Sequence, residues 1–308
     1  MKHTLMFTIF LLSGIASVKA QQDAMYSQYM FNMMGVNPAY AGSRGVLSAT
    51  ALYRRQWVGI DGAPETSTIS FDMATRNKKI GLGIQAFNDR IGITRTTGFN
   101  ATYAYRIRFS NEGSLAIGLQ GGITNYKADL TKVDLIDGGD ASFSQNINAI
   151  LPSFGAGIYY NSDRFYAGFS IPNLVKSYLR KDVIAYRSDV IAKKYMHFFF
   201  IAGYVFDINE DLKLKPSTLL KIVRGAPIQL DVNANLWLHD VVSLGISYRT
   251  GDAISGMLEV QVNDQFRIGY AYDHPISNLV KYNQGTHEIM LRYEFGWERG
   301  QVISPRYF

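Results

Sequence analysis

From about residue 45 to residue 295 the chain alternates, apolar or aromatic residues on one parity and polar or small residues on the other. A period of two is the signature of a half-buried β-strand. The last segment is the plainest: His287, Ile289, Leu291, Tyr293 and Phe295 face one way, and Glu288, Met290, Arg292 and Glu294 the other. Phe266 to Asp273, Ile254 to Val262 and Val242 to Arg249 repeat the pattern. Reading backward, further segments fall near 228–238, 212–222, 195–206, 165–171, 153–161, 113–127, 96–108, 79–89, 66–75 and 46–57, about fourteen in all. No amphipathic helix of normal length separates them.

Three features choose among the all-β architectures. The segments approach the 9–11 residues of a tilted membrane strand, against about 5–6 for an average soluble strand. One face is almost unbroken Leu, Ile, Val, Phe and Tyr, while the other carries small residues and charges of both signs. That is the lipid-out, lumen-in pattern of an outer-membrane barrel. The connections also alternate. Short turns at 76–78, 110–112, 162–164, 207–211, 239–240 and 263–265 follow even-numbered strands, and long connections at 58–65, 128–152, 172–194 and 274–286 follow odd-numbered ones. Short periplasmic turns and long external loops are the rule for such barrels. The expected fold is a transmembrane antiparallel up-and-down β-barrel of about 14 strands over residues 46–297.

Composition agrees and excludes other classes. Charged residues make up 18% of the chain and mean hydropathy is −0.05, far too polar for a bundle of membrane helices. An aromatic content of 13% excludes disorder, and the absence of cysteine excludes a disulfide scaffold. Residues 1–20 read as a secretory signal peptide, with a basic start at Lys2, an apolar run from Leu5 to Ile15, and small residues Val18 and Ala20 before the cleavage point. Its loss removes Lys2 and Lys19 from a net charge of +6. The modest remainder, with no Lys/Arg run, is no nucleic-acid signature.

The inward face is expected to carry Arg54, Asp72, Arg106, Arg108, Asp231, Arg249, Glu259, Arg267, Asp273, Glu288, Arg292 and Glu294. Mixed signs suit either a closed lumen that holds or docks a segment, or ordinary interior salt bridging beside a water-filled path. Residues 21–45 are rich in Tyr, Phe and Met and too sticky for a free tail. They are expected to fold back into the barrel from the periplasmic side or to pack on a partner there, and residues 298–308 form a C-terminal tail. Gly81-x-Gly83 and Gly118-x-x-Gly121 read as strand glycines in a crowded lumen, since no helix follows them as a phosphate loop requires.

No catalytic constellation stands out. His197, His239, His274 and His287 are scattered, no HExxH exists, and no cofactor or metal site is expected. Asp134, Asp137 and Asp140 in the 128–152 connection are more simply an acidic turn than a calcium site.

Several ordered motifs then carry a resemblance. Tyr29-Met30-Phe31-Asn32 is followed by Asn37-Pro38-Ala39-Tyr40-Ala41-Gly42-Ser43, then by Arg55-Gln56-Trp57-Val58-Gly59. Asn88-Asp89-Arg90-Ile91-Gly92, Tyr270-Ala271-Tyr272-Asp273 and the terminal Pro305-Arg306-Tyr307-Phe308 come after. In this order they resemble the PorP/SprF family, outer-membrane proteins of the type IX secretion system of Bacteroidota. The resemblance implies a non-enzymatic barrel of the secretion and gliding machinery. Its expected partners are a large secreted adhesin or its C-terminal domain, periplasmic secretion components and outer-membrane lipid. The alternative is a passive porin or hydrophobic-solute channel. The residues expected to bind partners are Asn37, Pro38 and Tyr40 at the entry to strand one, Arg55, Trp57, Asp89, Arg90, Tyr272 and Asp273 at the external rim, and the terminal aromatic Phe308.

Overall fold

The computed structural model describes residues 25–110, 113–133, 143–174, 178–180, 190–193, 196–223 and 226–295. Fourteen strands form the barrel: β1 (Leu47–Arg55), β2 (Glu65–Ala74), β3 (Ile80–Ile91), β4 (Thr94–Arg108), β5 (Ser114–Ala128), β6 (Ile147–Asn161), β7 (Phe165–Ile171), β8 (His197–Tyr204), β9 (Leu212–Val223), β10 (Gln229–Leu238), β11 (Val242–Arg249), β12 (Ala253–Gln261), β13 (Phe266–Pro275) and β14 (Thr286–Phe295). Each pairs antiparallel with its sequence neighbours, and β1 pairs with β14 from Leu47↔Phe295 to Arg55↔His287. The ring is closed, so strand main-chain groups find partners without water, as a bilayer demands.

The period of two fixes which side chains meet lipid. Along β4, Phe99, Tyr103, Tyr105 and Ile107 are exposed on the outer face, while Asn100, Thr102, Ala104 and Arg106 are buried inside. Sliding any strand by one residue would turn both sets over. Of the twelve charges expected inside, ten are buried, and Arg267 is nearly so and pairs with buried Glu259 at 3.0 Å. Arg108 departs: it has inward parity but is the last residue of β4 and is exposed beyond the rim.

Three sequence expectations need correction. The connections at the long-loop end are not uniformly long, because β3 and β4 are joined by Gly92 and Ile93 alone and β11 and β12 by residues 250–252. Gly92 and Gly251 make these reversals possible at φ of 54° and 70°. The strand before residue 153 begins earlier than expected, at Ile147, so β5 and β6 stay paired over fifteen residues and shorten the connection between them. The inward face is also less polar than expected. Phe199, Ile201 and Leu219 on β8 and β9, with Met257 and Met290, are buried inside the ring.

What they pack against is residues 25–45, which lie within the barrel. Three single 3-10 turns, Tyr29–Phe31, Met33–Gly35 and Pro38–Tyr40, carry the segment, and most of its side chains are buried. Asn37 accepts from the Ala39 N–H at 3.0 Å, and Pro38 follows at the first position of its turn, where the missing N–H costs nothing.

Candidate functional site: a filled lumen beneath the long-loop rim

The wall holds the segment by both its main chain and its side chains. At the short-turn end, Gly42 is gripped on both sides: Asp72 accepts from its N–H at 2.9 Å, and Arg106 donates to its carbonyl at 3.0 Å. Gly42 sits at φ 69°, and a Cβ there would lie 2.7 Å from the Met73 carbonyl oxygen, so only glycine fits. Arg44 reaches Glu294 at 3.3 Å, and both Arg44 and Arg292 donate to the Phe31 carbonyl. Midway, Ser170 donates to the Val36 carbonyl at 2.7 Å and Ser70 to Asn32 at 3.2 Å. Asn233 donates to the Tyr29 hydroxyl at 2.8 Å. Burial raises the Tyr29 phenol well above its ordinary range, as it does for Tyr26, so both remain neutral.

Inward glycines shape the seat. A Cβ at Gly81 would lie 1.9 Å from the Ala41 carbonyl oxygen, at Gly83 2.3 Å from Met34 Sδ, at Gly118 2.2 Å from the Ala39 nitrogen, at Gly157 2.2 Å from Asn37 Oδ1 and at Gly269 2.4 Å from Gln28 Oε1. Gly121 is different. It faces outward, and a Cβ there would meet nothing nearer than a Phe154 ring carbon at 4.0 Å.

At the long-loop end, Arg54 bridges Asp273 and Glu288, each at 2.8 Å, and all three are nearly fully buried. A second buried ion pair, Arg249 with Asp231 at 2.9 Å, joins β11 to β10 across one register pair. Mixed lumen charge therefore resolves into partnered sets, as a low-dielectric interior requires. Among the described residues no group of three or more His, Cys, Asp or Glu is placed to hold a metal ion.

The expected partner-binding residues divide by location. Asn37, Pro38 and Tyr40 lie inside the lumen against β4 to β7. Asn37 donates to the Ile158 carbonyl at 2.8 Å, and the Tyr40 ring meets Tyr159 edge-on at 5.4 Å. They do not form the entry to β1, which Gly42 to Gly45 make instead. Asp273 is within the barrel, paired with Arg54, rather than on the rim. Arg55, Trp57, Asp89, Arg90 and Tyr272 do share one sector of the long-loop end, across β13, β14, β1, β2 and β3. Arg55 lies 3.6 Å from Glu65, and the Trp57 N–H donates to Thr286 Oγ1 at 3.2 Å from a left-handed backbone with φ 46°. Asp89 accepts from Thr66 at 2.7 Å, and Tyr272 donates to the Gln284 carbonyl at 3.0 Å. Arg90 is exposed near the tip of β3. Phe308, the acidic stretch 134–140 and the signal segment lie outside the described residues. The Arg54, Asp72 and Arg106 contacts to the segment have no local sequence signal. The recurrence of glycine at inward parity, beside the Met and aromatic content of the segment itself, is the sequence signal for a tenant.

The family model described as type IX secretion system membrane protein PorP/SprF matches residues 18–293. No curated protein matches the chain. Among solved structures the chain is similar to the CymD monoaromatic hydrocarbon channel (11% identity, TM-score 0.49, covering 92% of this chain and 96% of that one). It is also similar to a Pseudomonas aeruginosa FadL homologue (13%, TM-score 0.48, 91% and 96%) and to Omp33 of Acinetobacter baumannii (8%, TM-score 0.47, 81% and 98%).

Proposed function

This chain belongs to the PorP/SprF family of type IX secretion system membrane proteins, in the outer membrane, and on that premise we propose that it is a docking barrel rather than a conduit. It holds a large secreted adhesin at the cell surface through that protein's C-terminal domain, and it contacts periplasmic components of the machinery from its short-turn end. The observation that carries this reading is the lumen, occupied along its wall by the chain's own residues 25–45. A barrel filled by its own chain suits holding a partner better than passing a solute.

The docking face on this reading is the rim sector of Arg55, Trp57, Asp89, Arg90 and Tyr272, with the longer connections beside it. Aromatic side chains and arginine are the residue types that anchor protein interfaces; Trp57 and Tyr272 are half-buried here and Arg55 and Arg90 exposed. Asn37, Pro38, Tyr40 and Asp273 serve the face indirectly, by holding the segment beneath it.

The test is capture of the tagged full-length protein from native outer membranes, with mass spectrometry of what accompanies it. A stoichiometric large secreted protein, weakened by Trp57→Ala with Arg90→Glu in a normally assembled barrel, is the expected result. Recovery of lipopolysaccharide and no protein would overturn the proposal. Planar-bilayer recording gives the second arm: a large steady conductance from the wild-type protein would favour a passive porin or hydrophobic-solute channel.

A further inference from the structure

The two ends of the lumen segment are fixed at opposite ends of the barrel. Residues 42–44 touch Asp72, Arg106 and Glu294, all in the short-turn half. Residues 26–28 touch Thr68, Asp273, Glu288 and Arg54, all in the long-loop half. The segment therefore climbs the lumen from β1 toward the loops as it is traced back to Met25.

The contacts at its upper end have an unusual composition. The Glu288 carboxylate accepts two successive main-chain N–H groups, Ser27 at 2.9 Å on one oxygen and Gln28 at 2.8 Å on the other. The Ser27 hydroxyl donates to Asp273 at 2.7 Å and accepts from Arg54 at 3.1 Å. Ser27, Arg54, Asp273 and Glu288 are each at most 3% exposed. Two carboxylates share one guanidinium there, and a buried surplus of negative charge is costly unless donors meet it. The wall gives Asp273 the Ser255 hydroxyl, but both N–H donors to Glu288 and the Ser27 hydroxyl are the peptide's own. Without a peptide, both oxygens of buried Glu288 would lose their main-chain donors inside the barrel.

We propose that Arg54, Asp273 and Glu288 form a peptide-binding site in the cell-surface half of the lumen, whose resident ligand is Ser27-Gln28 of this chain, so that Met25 is presented toward the cell surface. The ligand class is a peptide offering two consecutive main-chain N–H groups, the first residue bearing a hydroxyl. This goes beyond the docking reading and does not depend on any partner. It needs only the barrel's orientation, short turns inward.

The chain has no cysteine, so single cysteines report cleanly in the full-length protein on whole cells. Met25→Cys is the probe, Tyr282→Cys in the 276–285 connection is the surface control, and Asn77→Cys in the turn after β2 is the periplasmic control. A membrane-impermeant maleimide is expected to label Met25→Cys and Tyr282→Cys on intact cells, and Asn77→Cys only after the outer membrane is opened. In purified protein, Ser27→Cys with Asp273→Cys is expected to be joined by a short bis-maleimide cross-linker, which blocks release of the segment. Labelling of Met25→Cys only in opened cells, with Tyr282→Cys labelled on intact ones, would overturn the proposal. Failure of the cysteine pair to cross-link in a folded barrel would do so as well. A missing adhesin leaves both results unchanged, so the two proposals fail separately.

Discussion

Gly118 separates a seated segment from one that merely lies nearby. A Cβ on it would lie 2.2 Å from the Ala39 nitrogen, 2.4 Å from Ala39 Cα and 2.5 Å from the Pro38 carbonyl carbon. All three are main-chain atoms, so no rotamer change makes room. The wall cannot retreat easily, because Gly118 is paired with Ala104 on one side and Gly157 on the other. The segment must yield, and overpacking of this kind costs about 1–3 kcal/mol. The nearby hydrogen bonds from Asn37 to Ile158 and from Ser170 to Val36 supply about 1 kcal/mol each, net. Gly118→Ala thus offsets most of what polar contacts contribute at this seat. The reporter is Arg44, the sole Lys or Arg between residue 21 and β1, buried and paired with Glu294. Trypsin reaches it only when the segment has left the wall, and cleavage tracks the open population when reclosing is fast. At about tenfold per 1.4 kcal/mol, Gly118→Ala should speed cleavage after Arg44 by roughly ten- to a hundredfold. Gly121→Ala, three residues along the same strand and facing outward, is the control and should match the wild type. Equal cleavage rates in both variants, with both barrels showing the heat-dependent gel shift of a folded barrel, would refute the argument.

Other perturbations probe the wall and the lipid face. Arg249→Ala leaves buried Asp231 without its partner at 2.9 Å and should destabilise the barrel by about 3–5 kcal/mol; thermal unfolding in detergent measures it, and Arg249→Met with Asp231→Leu should recover most of the loss. Ile246→Arg puts a charge on the outer face in the middle of β11, at a side chain that is 61% exposed, and should cost about 2–4 kcal/mol at mid-bilayer, read as a lower denaturant midpoint for folding into vesicles. Tyr26 and Tyr29 have phenols raised by burial from 10.0. A seated neutral phenol stabilises the segment fully below pH 10, and that contribution is lost as pH climbs from there toward the raised value. Bilayer conductance should therefore rise only at strongly alkaline pH, and a Tyr26→Phe, Tyr29→Phe variant that opens at the same pH would show that these phenols do not control it.

The strands were legible because a bilayer enforces the alternation on every one of them: each of the fourteen expected segments has its counterpart in the ring, and the face carrying Ile289, Leu291 and Tyr293 is the outer one. Strand ends were less legible. Nothing in Gly92-Ile93 distinguishes a two-residue reversal from the start of a loop until the β3–β4 register is known. The lumen was half legible. Mixed charge signalled pairing, but which charge meets which depends on register across the barrel, as with Arg54 on β1 and Asp273 on β13. The segment 25–45 announced itself by its Met and aromatic content, yet its direction through the lumen was invisible, since no local pattern links Ser27 to Glu288 across 261 residues. One sequence signal was stronger than it looked. Gly81, Gly83, Gly118, Gly157 and Gly269 all fall on the inward parity, where a water-filled channel would have no need of them. Glycine weakens a strand, so its repeated use there implies that another backbone must come close. Met34, Ala39, Ala41, Asn37 and Gln28 fill those spaces. A wall shaped to this degree around one segment argues that residues 25–45 belong to the folded barrel and were not captured by chance.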